Sequence, residues 1–409
     1  MRGWGMLWTL LLPLAWAYPQ VVYVPLDDRP PSWSPCRWEL ARCPPKDLYQ
    51  GRWGARLGEL WGWLVGQPGH TLVASLDALV YGGLVQSRSA ALSLEEAQGR
   101  LGVLRYWQET WGPVLAFGVI PRHPDAKDRA RNLALLGSLE GRFAYVEVPW
   151  DDALPGSPAV GEAARLPIPT RPGADEAGQV LLLRALAPGL RVRVLYDRPQ
   201  AAQEVVRYDG IPLEDSVRRL LASVRAVEVQ NRPDLVLVVY TGSDPRRGVL
   251  AVMEGLRQAP VAVADIARVN RGDASFVRYL LDLEIYPWLA AYAAWGTPSN
   301  NLGAALAQGG LFAPTTCQRA GNPAGFCEAR RVRALAQAYL EYLWGEVGRP
   351  WVRARFREPL GEEAAWQVLE RLKTEPMPRF SLGRLEPTGL TFPWGRSFEA
   401  EWRYRFHDD

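Results

Sequence analysis

The chain has little of several residue types, and each shortage argues against a class of protein. It contains only 3 His in 409 residues, and it lacks the Gly-x-Ser-x-Gly motif, so a hydrolase built on a Ser-His-Asp triad has few residues to use. Only His123 lies at a predicted strand end. The Gly-x4-Gly-Lys spacing of a phosphate-binding loop is also missing. No basic run is interleaved with aromatic residues, which argues against nucleic-acid binding.

Long apolar runs are likewise missing, apart from a short one at the amino terminus. Arg2 supplies a positive charge, Met6 to Leu14 form an apolar region, and residues 15–17 (Ala-Trp-Ala) form a cleavage site, as in a signal peptide. We therefore expect a secreted, periplasmic or cell-envelope protein that begins near Tyr18. An uncleaved membrane anchor is the alternative. No later segment reaches ~18 uninterrupted apolar residues, so no transmembrane segment is predicted after cleavage.

Cysteine is sparse but arranged in two local pairs. Cys36 lies near Cys43, and Cys317 lies near Cys327, in loops rich in Pro and Gly. An even number of cysteines in an exported protein predicts two disulfides that staple these loops. A zinc site is the less favoured alternative, because the spacings are not Cys-x-x-Cys and no histidine lies beside a cysteine.

Apolar runs of strand length alternate with segments of helical periodicity. Strands are predicted at 21–25, 72–76, 114–119, 143–148, 192–196, 226–229, 235–240 and 260–264, with a further apolar stretch at 289–294. Helices are predicted between most of them, including 94–110, which begins with a capping box at Ser93 and Glu96. This alternation is typical of a parallel α/β fold. It favours a closed (β/α)8 barrel of TIM type, with an open doubly wound sheet as the alternative.

The pattern changes towards the carboxyl terminus. Helices are predicted at 330–344 and 362–373, and the last stretch, 398–406, alternates apolar and charged residues as a half-exposed strand does. The predicted organisation is therefore a signal peptide at 1–17, a (β/α)8-like catalytic domain at 18–344 and a small α+β appendage at 345–409.

Polar side chains follow one predicted strand after another. Parallel α/β folds build their active sites at the carboxyl ends of strands, so these residues are candidates for substrate binding. In chain order they are Asp27, Asp28 and Arg29; Asp77, Tyr81 and Arg88; Asp151 and Asp152; Tyr240; and Asp265, Asn270 and Asp273.

Asp151 and Asp152 are the most informative of these residues. Two ionised carboxyls at the end of a buried strand cost free energy unless they are paired or used in catalysis. Crowding raises the pKa of one carboxyl, which leaves a neutral acid beside an ionised base, as glycoside hydrolysis requires. The structural alternative is that the pair caps the next helix or bridges Arg165 and Arg171.

The other candidates suit recognition of hydroxyl and amide groups. The set Asp27, Asp28 and Arg29 either binds ligand hydroxyls or holds the rim as a salt bridge, and the sequence favours neither. Trp295 offers an indole platform, and the following Asn300 and Asn301 offer two amides, unless they cap a helix. The 18 Trp of the chain suit stacking on sugar rings, although packing accounts for most of them.

Five segments taken together resemble the bacterial DUF4127 family, whose members have no assigned function. The resemblance covers most of residues 20–310, and Asp175 and Glu176 within it are counted as substrate-binding candidates. The segments are 24–30 (VPLDDRP), 76–84 (LDALVYGGL), 151–153 (DDA), 172–176 (PGADE) and 300–303 (NNLG).

The order of strand ends is also similar to that of the glycoside hydrolase family 84 β-N-acetylglucosaminidases. That resemblance implies a (β/α)8 barrel in which Asp151 orients the acetamido group of the substrate and Asp152 is the general acid/base. That family also has a Thr-Gly pair after strand six and an Asp/Asn-rich loop after strand seven, and Thr241-Gly242 and the loop 265–273 are similar to these.

We therefore predict an exported, retaining β-N-acetylhexosaminidase-like enzyme that acts on an amino sugar of a cell-wall or exopolysaccharide glycan, without metal or cofactor. Two alternatives stay open. One is a carbohydrate- or cell-wall-binding protein without turnover. The other is an exported hydrolase that depends on a hard cation held by Asp27, Asp77 and Asp265.

Overall fold

The computed structural model describes residues 21–89, 91–120, 122, 126–319 and 322–408. The predicted signal peptide and His123 lie outside these residues. Within them the strands are β1 (Val21–Val24), β2 (Thr71–Ser75), β3 (Val114–Phe117), β4 (Tyr145–Trp150), β5 (Thr170–Pro172), β6 (Arg191–Tyr196), β7 (Val227–Glu228), β8 (Leu235–Tyr240), β9 (Val261–Asp265), β10 (Ala291–Ala293), β11 (Arg379–Phe380), β12 (Gly383–Thr391) and β13 (Glu401–His407).

The helices alternate with these strands over most of the chain. They are α1 (Pro30–Arg37), α2 (Leu57–Val65), α3 (Leu76–Tyr81), α4 (Leu84–Ser89), α5 (Leu94–Arg100), α6 (Gly102–Thr110), α7 (Ala126–Gly137), α8 (Ala159–Ala163), α9 (Ala177–Leu186), α10 (Leu213–Ser223), α11 (Pro245–Leu256), α12 (Ala274–Asp282), α13 (Pro298–Phe312), α14 (Pro314–Arg319), α15 (Ala324–Leu343), α16 (Arg349–Arg353) and α17 (Glu362–Leu372). A π-helical turn, Trp344–Gly348, joins α15 to α16.

The first ten strands form two parallel sheets. One has the order β1-β2-β3-β4-β5, and the other has the order β10-β9-β8-β6-β7. In the first sheet Val22 pairs with Leu72, and in the second Val238 pairs with Val263. Strands such as β8 are buried along their whole length because helices cover both faces, which explains their continuous apolar sequence. The predicted mixed α/β class with parallel strands is confirmed.

A single closed barrel is not confirmed. Among the described residues, no ladder joins β5 to β6 or β10 to β1. Two helices lie between the sheets instead: α9 packs on β2 and β3, α13 packs on β8, β9 and β10, and the two helices pack on each other. Because this helix pair fills the space between the sheets, the strands do not close around a core of their own side chains.

Close contacts hold the helix pair against both sheets. Gly178 in α9 faces Tyr23 of β1, and a Cβ at this position would stand 2.1 Å from the Tyr23 hydroxyl oxygen. Gly309 in α13 lies over β9, where a Cβ would stand 2.6 Å from the Cβ of Ala262. The absence of a side chain at these two positions sets how closely helix and sheet approach.

Outer helices cover the remaining faces. Leu60 of α2 and Trp107 of α6 pack with residues of the first sheet, while α11, α12 and α15 cover the second sheet. The strands β11, β12 and β13 form an antiparallel sheet on which α17 packs, and these elements share a hydrophobic core with α15. The domain division at residue 345 stays a prediction. None of the described helices is long and apolar enough to cross a membrane.

The local predictions agree with most elements. All predicted strands are present within a few residues, and helix 94–110 is two helices, of which α5 begins with the predicted capping box between Ser93 and Glu96. The sequence did not predict the strands β5, β11 and β12 or the helices α1, α3, α4, α8, α13, α14 and α16. As predicted, Cys36 is bonded to Cys43 and Cys317 to Cys327.

Candidate active site

Asp151 and Asp152 follow β4 directly and are buried, with exposed fractions of 9% and 4%. The residues on either side are fixed by the loop before α10. The Trp150 Nε1–H donates to the carbonyl oxygen of Asp209 over 3.0 Å, and the Ala153 N–H donates to that of Tyr208 over 2.8 Å. The end of the strand is therefore clamped on both sides of the carboxyl pair.

Two arginines bind the pair. Arg88 Nη2 donates to Asp151 Oδ2 over 2.8 Å, and Arg122 Nη2 lies 3.6 Å from Asp151 Oδ1. Arg122 also forms an ion pair with Asp152 through Oδ2. The other oxygen of that carboxyl, Asp152 Oδ1, is buried and has no hydrogen-bond partner among the described residues. Arg122 thus ties the two carboxyls together and leaves one oxygen of Asp152 unused.

The pKa of both carboxyls is raised. Burial is the main cause for Asp151, followed by the negative charge of Asp175, while Arg122, Arg88 and Arg29 oppose the shift. Burial and then the charge of Asp151 raise the pKa of Asp152 to about 7. Two neighbouring carboxyls that share buried surroundings do not both ionise readily. The pair therefore retains a proton near neutral pH.

Arg29 forms a second centre beside the pair. Its Nη2 donates to Asp27 Oδ2 and to Asp175 Oδ1, each over 2.7 Å, and its Nη1 lies 3.4 Å from Glu399 Oε1. These contacts join the ends of β1 and β5 to the segment before β13. Asp175 raises the pKa of Asp151, so the Arg29 centre adjoins the catalytic candidates.

Trp394 packs against the Arg29 centre. Its Nε1–H donates to Asp28 Oδ1 over 2.7 Å, and the guanidinium carbons of Arg29 and Arg396 lie 5.3 and 4.4 Å from its ring centroid. Its backbone has φ 59° and ψ 17°, the left-handed region. Bulky residues rarely adopt this conformation, and they do so mainly where the surrounding structure compels it, often at functional sites.

The start of α13 contacts two segments that adjoin the pair. Ser299 Oγ donates to Asp209 Oδ2 over 2.5 Å, and Ser216 Oγ donates to the same oxygen over 2.8 Å. Asn300 Oδ1 accepts from the Ala174 N–H over 3.1 Å. Burial raises the pKa of Asp209 to about 6, and the charge of Asp209 in turn raises the pKa of Asp152.

Three predicted site residues lie in or beside helices that follow strands of the first sheet, Asp77 and Tyr81 in α3 and Glu176 before α9. Asp77 Oδ2 accepts from the Val119 N–H over 2.9 Å, and burial raises the pKa of Asp77 to about 6. The ring of Tyr81 is covered by the guanidinium of Arg131, with the guanidinium carbon 4.8 Å from the centroid. Glu176 is fully buried. These side chains support the loops behind the carboxyl pair.

The structural alternative proposed that the aspartate pair bridges Arg165 and Arg171. Arg171 binds two other carboxylates instead. Its Nη1 donates to Glu176 Oε1 over 2.6 Å, and its Nη2 donates to Glu147 Oε1 over 3.0 Å. All three side chains are completely buried. Burial raises the pKa of Glu176 to about 7, although the charge of Arg171 opposes the shift.

The remaining candidates form a separate network at the end of β9. Asp265 Oδ2 accepts from the Asp273 N–H and the Tyr292 hydroxyl, each over 2.8 Å, and burial raises the pKa of Asp265 to about 7. Asp273 caps α12, and the Tyr240 hydroxyl lies 3.3 Å from its Oδ2. Asn301 Nδ2 donates to the Asp265 carbonyl oxygen over 2.9 Å. These groups hold loops in place, and no hydrogen bond among the described residues joins them to Asp151 or Asp152.

Asn270 and Trp295 are also apart from the pair. The Asn270 N–H donates to the Gly296 carbonyl oxygen over 2.9 Å, and Trp295 lines a small interior cavity together with Trp38 and Gln308. Trp295 is partly buried, and its role as a stacking platform stays a prediction. The sequence analysis missed four residues of the site. Arg122 adjoins His123, which it singled out, and Glu399 lies in the predicted strand 398–406, whereas Asp209 and Trp394 gave no signal.

A hard-cation site at Asp27, Asp77 and Asp265 requires the three carboxyls to meet. Among the described residues, no group of three or more His, Cys, Asp or Glu side chains is placed to hold a metal ion. Asp27 is bound by Arg29, and Asp265 is bound by Tyr292 and the Asp273 N–H.

Comparison with known proteins gives a family but no relative of known activity. A family model described as a protein of unknown function, DUF4127, matches residues 21–138 and 140–403. No curated protein and no solved structure matches the chain.

Proposed function

Since the chain belongs to the DUF4127 family, whose description assigns no activity, we propose a function from the site itself. The protein is a glycoside hydrolase that uses Asp152 as general acid/base and cleaves a glycan containing an N-acetylated amino sugar. Its two disulfides are compatible with an oxidising compartment, and we place it in the cell envelope or outside the cell.

The state of Asp152 is the observation that carries the proposal. Its Oδ2 is paired with Arg122, its Oδ1 is buried without a hydrogen-bond partner among the described residues, and its pKa is raised to about 7. A carboxyl that is partly protonated at neutral pH, with one oxygen free, is suited to protonate the oxygen of a leaving sugar.

Asp151 has the complementary role. Arg88 and Arg122 fix both of its oxygens, yet a carboxylate has about four acceptor positions, so one remains for the N–H of an acetamido group. The acetamido oxygen would attack the anomeric carbon while the proton of Asp152 passes to the leaving oxygen. Water would then release the sugar with Asp152 as base. This scheme follows the resemblance to family 84 glycosidases, whose closed barrel is not confirmed here, so the proposal rests on the local arrangement.

A non-catalytic carbohydrate-binding protein is the second candidate. Such a protein needs hydroxyl partners, which Asp27, Asp28 and Asp175 could supply, but it has no use for a proton held on a buried carboxyl pair. A cation-dependent hydrolase is less favoured because Asp27, Asp77 and Asp265 have separate partners. Loss of activity on dialysis against a chelator, restored by a divalent cation, would favour that alternative.

Substitution of each aspartate tests the proposal. Wild type, Asp152→Asn, Asp151→Asn and the surface control Asp282→Asn are assayed against aryl N-acetylhexosaminides with good and poor leaving groups. We expect Asp152→Asn to lower kcat for poor leaving groups by about 10²–10⁴-fold and to affect activated glycosides less. Asp151→Asn lowers both rates, and the control leaves them unchanged. Absence of wild-type activity on every hexosaminide would reject the proposal.

A further inference from the structure

Arginines from three segments gather beside the Arg29 centre. Two come from the loop after β9, two from α16, and one from the segment before β13. We call this group the arginine patch, and its members are Arg268, Arg271, Arg349, Arg353 and Arg396.

Two buried glutamates organise the patch from beneath. Glu346 Oε1 lies 3.7 Å from Arg271 Nε, and its Oε2 lies 4.0 Å from Arg268 Nη1. Glu399 Oε2 lies 3.6 Å from Arg396 Nη2. The glutamate side chains are 12% and 9% exposed, whereas the three arginine side chains are 39–48% exposed. The three arginine side chains are therefore partly exposed, and each lies within ion-pair distance of a largely buried carboxylate.

Positive charge is in excess here. Glu358 adjoins the patch through Ser397, whose hydroxyl donates to Glu358 Oε1 and accepts from Arg353 Nε, so five arginines stand against three glutamates. Arg349 Nε is buried and has no hydrogen-bond partner in the described part of the chain. Burial and the charges of Arg353 and Arg271 lower the pKa of Arg349 to about 10. An anion bound at the patch would relieve this repulsion.

Irregular backbone places these arginines. A π-helical turn, Trp344–Gly348, carries Glu346 and leads into Arg349, and Asn270, which precedes Arg271, has a φ of 62°. A Cβ at Gly345 would stand 3.2 Å from the Cβ of Arg271, so the loop lies directly on the turn. Such turns and left-handed residues are costly and occur frequently at functional sites.

The patch is continuous with the candidate active site. Glu399 contacts Arg396 of the patch through Oε2 and Arg29 through Oε1, and Arg29 binds Asp175, which adjoins Asp151. A ligand spanning this path would be held by the patch at one end while the carboxyl pair acted on the other.

We propose that the arginine patch is an anion subsite and that the glycan carries an oxyanion, a carboxylate or a phosphate, on a unit next to the one that is cleaved. The planar guanidinium group of arginine can donate two parallel hydrogen bonds to the paired oxygens of a carboxylate or a phosphate. This inference rests on the proposed function, because it assumes that the ligand is a glycan. The test of the subsite measures binding alone.

Calorimetry with the Asp152→Asn protein separates binding from turnover. The carboxylate arm compares a hyaluronan tetrasaccharide, which contains N-acetylglucosamine and glucuronate, with its carboxyl-reduced form. The phosphate arm compares chitobiose 6-phosphate with chitobiose. In at least one arm the anionic probe should bind about tenfold or more tightly than its neutral counterpart, and the arm that shows this identifies the oxyanion.

Substitutions within the patch provide the second readout. The half-exposed pair Arg271→Gln and Arg396→Gln should remove most of the preference for the anionic probe, and Arg349→Gln should weaken it. Arg278→Gln, an arginine on α12 that is 81% exposed, should not change it. Equal binding of anionic and neutral probes in both arms, or a preference that survives the double substitution, would overturn the inference. A retained preference without any hexosaminidase activity in the wild type would reject only the proposed catalysis.

Discussion

At the residue scale, Arg122 is the cation that contacts both carboxyls of the pair. Its charge lowers the pKa of Asp152 against the larger effect of burial. Arg122 is 40% exposed, so solvent screens part of this effect. Arg122 therefore moderates the rise in the pKa of Asp152 that burial and the charge of Asp151 cause.

Arg122→Gln should move the alkaline limb of the pH–rate profile to higher pH. Asp152 must be protonated to act as acid, so activity falls as pH rises through its pKa, and loss of the nearby cation raises that pKa. The measurement is kcat/KM on an aryl hexosaminide from about pH 5 to 9. Arg278→Gln serves as control. A limb that stays in place or moves to lower pH would remove Asp152 from the role of acid.

Trp394 stores backbone strain next to Asp28. Its left-handed conformation costs about 1–2 kcal/mol for a residue with a side chain, whereas glycine adopts it freely. Trp394→Ala and Trp394→Gly both delete the indole and its hydrogen bond to Asp28. We expect both variants to be less stable than wild type, with Gly the more stable of the two by about 1 kcal/mol. Urea unfolding measures the difference, and equal stabilities would show that the strain is absent.

At the element scale, the pair α9 and α13 decides the architecture. All fifteen residues of α13 are buried, and α9 is buried over most of its length. The helices separate the two sheets, and the start of α13 places Ser299 against Asp209 and Asn300 against the Ala174 N–H. The same packing therefore sets the fold and holds segments that adjoin the site.

Gly178→Ala tests this packing, since its Cβ would stand 2.1 Å from the hydroxyl oxygen of Tyr23, which donates to the Ser32 carbonyl oxygen over 2.9 Å. Tyr23 must move, so we expect a loss of about 1–3 kcal/mol in the free energy of unfolding. Gly62→Ala in α2 is the matched control. A Cβ there meets nothing within 4 Å, so a gain of about 0.5–1 kcal/mol is expected. Equal effects of the two substitutions would contradict close packing of α9 on the sheet.

At the scale of the whole molecule, buried carboxyls make stability depend on pH. The pKa is raised by burial to about 6 for Asp77 and Asp209 and to about 7 for Asp152 and Asp265. In the unfolded chain an aspartate titrates near about 3.9. Between these values the folded protein retains protons that the unfolded chain has released.

The free energy of unfolding should therefore fall as pH rises from about 4 to 7. Below about pH 4 these carboxyls are protonated in both the folded and the unfolded protein, and their stabilising contribution is fully present. This contribution is lost as the pH rises through the folded pKa values. Urea titrations at fixed ionic strength measure the slope. Asp209→Asn, which removes one of the titrating groups, should make the slope shallower. Stability that rises with pH across this range would show that the buried groups are ionised.

The sequence by itself determined the local elements, the disulfides and the carboxyl pair. Strands such as β8 are continuous apolar runs, α5 begins with a capping box, and Asp151 and Asp152 stand out because adjacent acids rarely end a buried strand. Each of these signals depends on residues that are close together in the chain. Periodicity, capping and turn chemistry act over a few residues and can be read directly.

Only the tertiary structure decided how the strands assemble and which polar residues meet. Helix α13 gave no periodic signal because it is buried on every side, so the two-sheet arrangement was not predicted. Arg29 meets Glu399 across 370 positions of sequence separation, and Trp394 meets Asp28 across 366. Asp265 belongs to a separate network although it too ends a strand. Contacts of this kind depend on packing between distant segments, and no local pattern encodes them.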